Sequence, residues 1–273
     1  MRVSIRHTTR YAYSPPAGRI ALRLKLFPAS FDSHRIEHWA VTVNGDEAVA
    51  MFTNGFGDRE AIWTTHEPLE ALEICAHGVI ETDESAGIMR GFVESSRPGV
   101  FLRSTPLTAI SPALRALGDS ARRDTVLASL HALSEIVHEK VVYMSGSTHA
   151  AITAAQALLL GKGVCQDQTH VFVAAARAAG WPARYVVGYL TQGIESQRDT
   201  HAWAEAFVPE LGWVGFDPAN RQCPTQAYVR LASGLDAADA APIRGCISHG
   251  VQAVMSARVE IADALQASQQ QSQ

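Results

Sequence analysis

Apolar and polar positions alternate with a period of two over residues 2–13 and 19–27, and again over 36–43, 48–52, 60–65 and 69–79. That period belongs to strands with one face in a core. Between the runs lie Asn44-Gly-Asp46 and Asn54-Gly-Phe-Gly57, words that supply the tight corners of hairpins. Residues 1–84 are therefore predicted to form an N-terminal β-sandwich domain. From 85 to 110 the alternation stops and Pro98 and Pro106 punctuate the chain, which predicts a linker.

After Ser111-Pro112, a helix opening, the period lengthens. Val126, Leu127, Leu130, Leu133, Ile136 and Val137 recur at helical spacing, so a helix with one buried face is predicted over 124–140. Shorter helices are expected over 153–160 and from Cys165 to about Ala179. The strand period then returns. Residues 184–190 are β-branched and aromatic, 201–208 alternate, Pro209-Glu-Leu-Gly212 makes a turn, and 213–217 form a further strand that Pro218 ends. Residues 250–261 alternate once more and are predicted to complete the core sheet. Residues 263–273, rich in Gln and Ser, are expected to be a disordered tail. The fold class is α+β: the sandwich, then over 111–262 a core of helices packed on an antiparallel sheet.

Candidate chemistry lies in that second half. Gly161 and Gly163 allow a tight approach loop, and Cys165 stands at the first turn of a helix, where unpaired N–H groups favour the thiolate over the thiol. Asp167 suits the same turn and can accept from nearby N–H groups. His170, one turn further on, is expected to be structural, a polar group of the core around the site. The hairpin over 201–217 carries His201 on one arm and Asp217 on the other, within about two residues of facing register. An imidazole held by a carboxylate and facing a helix-start thiol is the nucleophile, base and orienter arrangement of thiol acyl transfer. Trp203 and Glu205 share the strand face of His201, so Trp203 is expected to wall the site and Glu205 to pair with a basic group.

Composition narrows the alternatives. A chain of 273 residues, 47% of them hydrophobic, can bury two cores. The net charge is −4 with basic residues scattered, which points away from nucleic acid and from a polybasic membrane surface. The first seven residues lack the apolar run of a secretion signal and no stretch reaches spanning length, so a cytoplasmic protein with no membrane partner is expected. Cys75, Cys165, Cys223 and Cys246 have neither close pairs nor zinc spacing and read as thiols. His131 and His138 share a helix face without acidic or thiol ligands beside them, so no metal and no cofactor is expected.

The words Gly163-Val-Cys-Gln-Asp-Gln-Thr-His170, Trp181-Pro-Ala-Arg-Tyr-Val-Val-Gly-Tyr-Leu190, His201-Ala-Trp-Ala-Glu205 and Gly212-Trp-Val-Gly-Phe-Asp-Pro-Ala-Asn220 resemble the transglutaminase-like superfamily. Within it they are closest to bacterial candidate cysteine proteases with a dedicated N-terminal β domain. Thr8-Thr-Arg-Tyr-Ala-Tyr-Ser-Pro15, Leu22-Arg-Leu-Lys-Leu-Phe-Pro28 and Asn54-Gly-Phe-Gly-Asp58 extend the likeness over most of the chain. The resemblance implies a papain-like core, a peptide or protein substrate, Cys165 as nucleophile, His201 as base, Asp217 as its orienter and Tyr143 lining the site.

Three departures stand out. Gln168-Thr169 replace a usual Phe-Ala, which would set polar groups on the active-site side of the helix. Gly234-Leu-Asp-Ala237 replaces a Gly-Arg-Asp-Tyr word and would alter substrate preference. Asp58 replaces an Asn and reads as a turn substitution. The implied first step is attack of the Cys165 thiolate on a carbonyl, with the Cys165 N–H as one oxyanion donor. The second donor is not legible in the sequence. Resolution of the thioacyl enzyme by water or by an amine stays open, with hydrolysis favoured by the resemblance.

Overall fold

A computed structural model describes residues 1–191 and 200–263. The polar stretch expected between Thr191 and Thr200 and the expected C-terminal tail lie almost wholly outside the described residues.

The N-terminal alternation resolves into two antiparallel sheets. One has the order Gln252–Asp263, Arg2–Ala17, Leu69–Thr82, His34–Val43 and Asp46–Glu47. The other runs Ile243–Ile247, Ile20–Phe27, Arg59–Thr65 and Phe52–Thr53. Along the first strand Val3, Ile5, His7 and Thr9 are buried while Arg6 and Arg10 face solvent, the two-faced pattern that fixes register. A third antiparallel sheet has the order Tyr228–Gly234, Ala183–Leu190, His201–Val208, Gly212–Phe216 and Ile88–Met89. The helices α1 (Pro112–Ser120), α2 (Val126–Lys140), α3 (Ala154–Leu160) and α4 (Cys165–Ala178) surround or cover it. Helix α4 is buried on all sides from Asp167 to Arg177, as a run such as Val171-Phe-Val-Ala-Ala-Ala176 requires. It packs on both His201–Val208 and Ala183–Leu190.

Two expectations are corrected here. Residues 252–263 do not complete the core sheet; they pair with Arg2–Ala17 from Val3 opposite Asp263 to Ser14 opposite Gln252. Only Val259 of that strand is fully buried, so it is an edge strand whose alternation carries no information about which sheet it joins. Nor is 85–110 a bare linker. Ile88–Met89 add to the core sheet beside Trp213 and Val214, and the turn Pro98–Leu102 buries Phe101 completely. Segments of two to five residues are too short for a period to show.

The N-terminal sheets and the core share one apolar cluster, in which Val3, Ile5, Leu24 and Ile74 join Cys165, Tyr185, Val187 and Tyr189. A buried ionic network spans the same junction. Asp58 accepts from Ser233 N at 2.9 Å and from Arg230 at 3.3 Å, and lies 3.4 Å from Lys25. Glu205 takes Arg184 at 2.6 Å and Arg230 at 3.0 Å, and Glu94 of the connecting segment also binds Arg184. Asp58 is thus more than a turn residue. Its carboxylate is fully buried and shares with Glu205 the compensation of buried Arg230, with buried Lys25 beside it. Among the described residues no helix is long and apolar enough to cross a membrane.

Candidate active site

Helix α4 begins at Cys165 because the chain before it is held from two sides. Asp167 Oδ2 accepts from Val164 N at 2.8 Å and from Thr148 Oγ1 at 2.6 Å, so the carboxylate in the first turn caps its own helix. Val164 itself provides no capping side chain. A Cβ on Gly163 would stand 2.7 Å from the Asp167 side chain. Only glycine leaves that carboxylate its place.

His201 opens its strand opposite Gly188. Phe216 pairs with Ala204, so the register carried one step on sets Asp217 across from Trp203, diagonal to His201 on the neighbouring strand. The contact closes as His201 Nε2 to Asp217 Oδ2 at 2.7 Å. Asp217 also accepts from Tyr228 OH at 2.6 Å and Asn220 Nδ2 at 2.7 Å on Oδ2, and from Ala219 N at 2.9 Å and Asn220 N at 3.3 Å on Oδ1. Burial acts to raise the Asp217 pKa, but His201, then Asn220 and Tyr228, hold it below the usual carboxylate range. This carboxylate is an anion fixed by five donors.

Burial also disfavours charge on His201, yet the hydrogen bonds to Asp217 and to Cys165, with the charges of both, push its pKa up to about 10. Since Nε2 is engaged by Asp217, Nδ1 is the ring nitrogen left for the thiol. The imidazolium is therefore the favoured form of His201 at neutral pH.

The other expected residues separate into two groups. Trp203 is buried beside the histidine, with ring centroids 6.3 Å apart, and meets Tyr228 edge-on at 5.4 Å. Its ring lies over Gly188, where a Cβ would come within 2.6 Å of it. Tyr143 is half-buried, pairs with Gly163 across a two-residue parallel ladder, and packs on the apolar cluster containing Cys165. Tyr143 thus borders the cluster around the thiol, and Trp203 borders the imidazole. Gln168, Thr169 and His170 are fully buried and turned to the backbone. Gln168 Nε2 donates to Val141 O at 2.6 Å, and its Oε1 has no protein partner. Thr169 Oγ1 donates to Cys165 O at 2.8 Å. The polar pair therefore secures the helix and does not line an open cleft, because each finds a carbonyl within reach. His170 Nε2 accepts from Ala237 N at 3.0 Å, and burial lowers its pKa to about 4. It is a neutral structural group.

Three residues of the site were not read from the sequence. Asn220 had a usable signal: Asp217-Pro-Ala-Asn220 is a word in which an Asp side chain caps the next backbone N–H groups. Tyr228 had none, since it arrives from a strand paired elsewhere, at Leu190. Gln166 is half-buried next to Cys165, and its Oε1 accepts from the Cys165 thiol at 3.2 Å. Among the described residues no three His, Cys, Asp or Glu side chains are grouped as a metal ion would need.

Comparison with known proteins agrees with this architecture. Residues 115–218 match the model of the transglutaminase-like superfamily, and residues 3–81 that of the bacterial transglutaminase-like N-terminal region. The chain belongs to the transglutaminase-like superfamily. An uncharacterized protein of Mycobacterium tuberculosis is 27% identical over 289 residues, covering 95% of this chain and 92% of its own. A protein-glutamine gamma-glutamyltransferase of Pseudomonas aeruginosa is 31% identical over 145 residues, 47% of this chain and 20% of that protein. In fold, the chain is similar to a candidate cysteine protease of Cytophaga hutchinsonii, with a TM-score of 0.76 at 22% identity over 97% of this chain and 91% of that one.

Proposed function

We propose that this protein is a cysteine-dependent acyl-transfer enzyme that hydrolyses a peptide, isopeptide or related amide bond through a thioacyl intermediate on Cys165. One observation carries the reading: a single buried imidazole, His201, is held by Asp217 at 2.7 Å, and Cys165 joins Asp217 in raising its pKa. In this account the thiol proton resides on His201. The thiolate attacks the carbonyl carbon, and His201 then protonates the departing amine. Water deprotonated by His201 releases the acid and restores the thiol. Asp217 keeps the ring in the tautomer that faces the sulfur and stabilises its positive form. Trp203 and Tyr228 keep water from the far side of the His201–Asp217 bond, and Tyr143 borders the acyl group. Residues 1–84 are read as a sandwich domain completed by the C-terminal strands, with the ionic network around Asp58 holding it to the core.

A second reading has specific support. The Pseudomonas relative is named a protein-glutamine gamma-glutamyltransferase, and the triad read here would serve acyl transfer of that kind with an amine in place of water as acceptor. The two are separated by adding a fluorescent primary amine to the turnover assay and following its incorporation against release of free acid. The shared claim is tested by Cys165→Ala, which is expected to abolish both. Turnover that survives this substitution would remove the nucleophile and leave a binding module on the same fold.

A further inference from the structure

The carboxamide of Gln166 takes no part in the triad or in capping helix α4, yet it lies against the nucleophile. Its Oε1 accepts from Cys165 Sγ at 3.2 Å. A carboxamide has an acceptor end and a donor end. With the sulfur protonated, the acceptor end faces it. Once the proton has moved to His201, an acceptor against a thiolate is repulsive, and a half-turn of the amide presents Nε2–H instead. The oxygen of a tetrahedral adduct on Sγ lies within about 3 Å of that sulfur, in the range where oxyanion donors act. A group already in contact with the sulfur therefore reaches that oxygen without moving its backbone. The Cys165 N–H is the complementary donor, because the first N–H groups of a helix have no acceptor within it and Val164 brings no capping side chain.

We propose that Gln166 is a catalytic residue whose Nε2–H is the second donor of the oxyanion hole, opposite the backbone N–H of Cys165. The proposal rests on Cys165 being the nucleophile. In the step it serves, the sulfur lone pair forms the C–S bond while the carbonyl π pair moves onto oxygen, where Gln166 and Cys165 N–H hold it. Collapse returns that pair to the carbonyl and breaks the bond to the leaving group, which takes its proton from His201.

Two rates on the full-length protein separate the possibilities. Alkylation of Cys165 by iodoacetamide displaces iodide and develops no oxyanion. Acylation by p-nitrophenyl acetate, read as the nitrophenolate burst, does. Gln166→Ala and the near-isosteric, uncharged Gln166→Met, which has no donor, are both expected to slow acylation by about 10²–10³ while alkylation stays within a few-fold of the parent. Retained alkylation also reports that the thiol site is folded. Acylation at the parental rate in both variants, or an equal loss of both rates, would overturn the assignment, the second outcome leaving Gln166 as a residue that only positions the thiol. A full burst from Cys165→Ala would overturn it by a different route, showing that the nucleophile itself is elsewhere.

Discussion

Replacing Asp217 by asparagine removes one charge and almost no volume, and the site translates that change into two measurable effects. His201 stands at about 10 against an ordinary 6.5, a rise that corresponds to ~5 kcal/mol in favour of the imidazolium. Asp217 and Cys165 supply it between them. An opposite charge at such contact distances raises a histidine by about 1–3 pH units, so the alkaline limb of turnover, where the proton needed by the leaving group is lost, is expected to move down by that amount. The second effect is on the tautomer. Oδ2 accepts from His201, Tyr228 and Asn220 at once. An asparagine with its NH2 there meets three donors. With its oxygen there, it places NH2 on the backbone N–H groups of Ala219 and Asn220. In the first orientation the ring must accept at Nε2 and turns its proton toward the sulfur, where it cannot accept another; in the second it keeps Nε2–H but loses the charge that stabilises the imidazolium. The expected fall in kcat is about 10²–10⁴. Burst and steady-state rates between pH 6 and 11 check both effects. An unshifted alkaline limb with kcat within about three-fold of the parent would refute the role assigned to Asp217.

The junction network, the approach loop and the buried histidines give further tests. Asp58→Asn leaves Arg230 and Lys25 with one buried anion fewer and is expected to cost about 3–5 kcal/mol in urea unfolding; a loss under about 1 kcal/mol would mean that the network does not hold the N-terminal sheets to the core. Gly163→Ala forces the Asp167 carboxylate from Val164 N; a cost of about 1–3 kcal/mol with slowed alkylation of Cys165 is expected, and unchanged alkylation would count against Asp167 as the support of the nucleophile loop. Burial lowers His7, His34 and His170 each to about 4. The unfolded chain then binds more protons between about 4 and 6.5, so their contribution is present above 6.5 and lost as the pH falls through that window. His201 is raised, and its contribution is present below 6.5 and lost as the pH rises toward about 10. The melting temperature should accordingly peak near pH 6.5, and a profile that climbs steadily toward pH 4.5 would contradict the protonation states assigned to these four rings.

Cys165, His201 and Asp217 were legible in sequence because local chemistry announces each one: glycines before a helix start, the first residue of an alternating strand, the last residue before a strand-ending proline. The hairpin between 201 and 217 fixes their relative register with few degrees of freedom, so proximity followed from turn length alone. Glu205 was legible as a paired acid for a related reason, since a carboxylate on a buried strand face must find a cation. The strand Gln252–Asp263 was visible as a strand and invisible as to partner. Its mostly exposed side chains suit the edge of either sheet, and its choice of Arg2–Ala17 depends on contacts some 250 residues away in sequence. Ile88–Met89 and Phe101 sit in pieces shorter than a period. Asp58 looked like a turn residue because its four partners, Lys25, Arg230 and the backbone and hydroxyl of Ser233, come from strands that only the fold brings together. Gln166 and Tyr228 fall under the same limit: their function depends on where a side-chain tip ends, which spacing does not encode.

Whether Cys165 acts as a nucleophile made ready by His201 is read most directly by peptide mapping of the protein quenched in acid during the p-nitrophenyl acetate burst at pH 7. The expected result is one acetyl group per chain, carried as a thioester on Cys165, absent from Cys75, Cys223 and Cys246, and formed far more slowly in His201→Ala. An acetyl group on another residue, or a Cys165 thioester forming at the same rate without the His201 imidazole, would contradict that role.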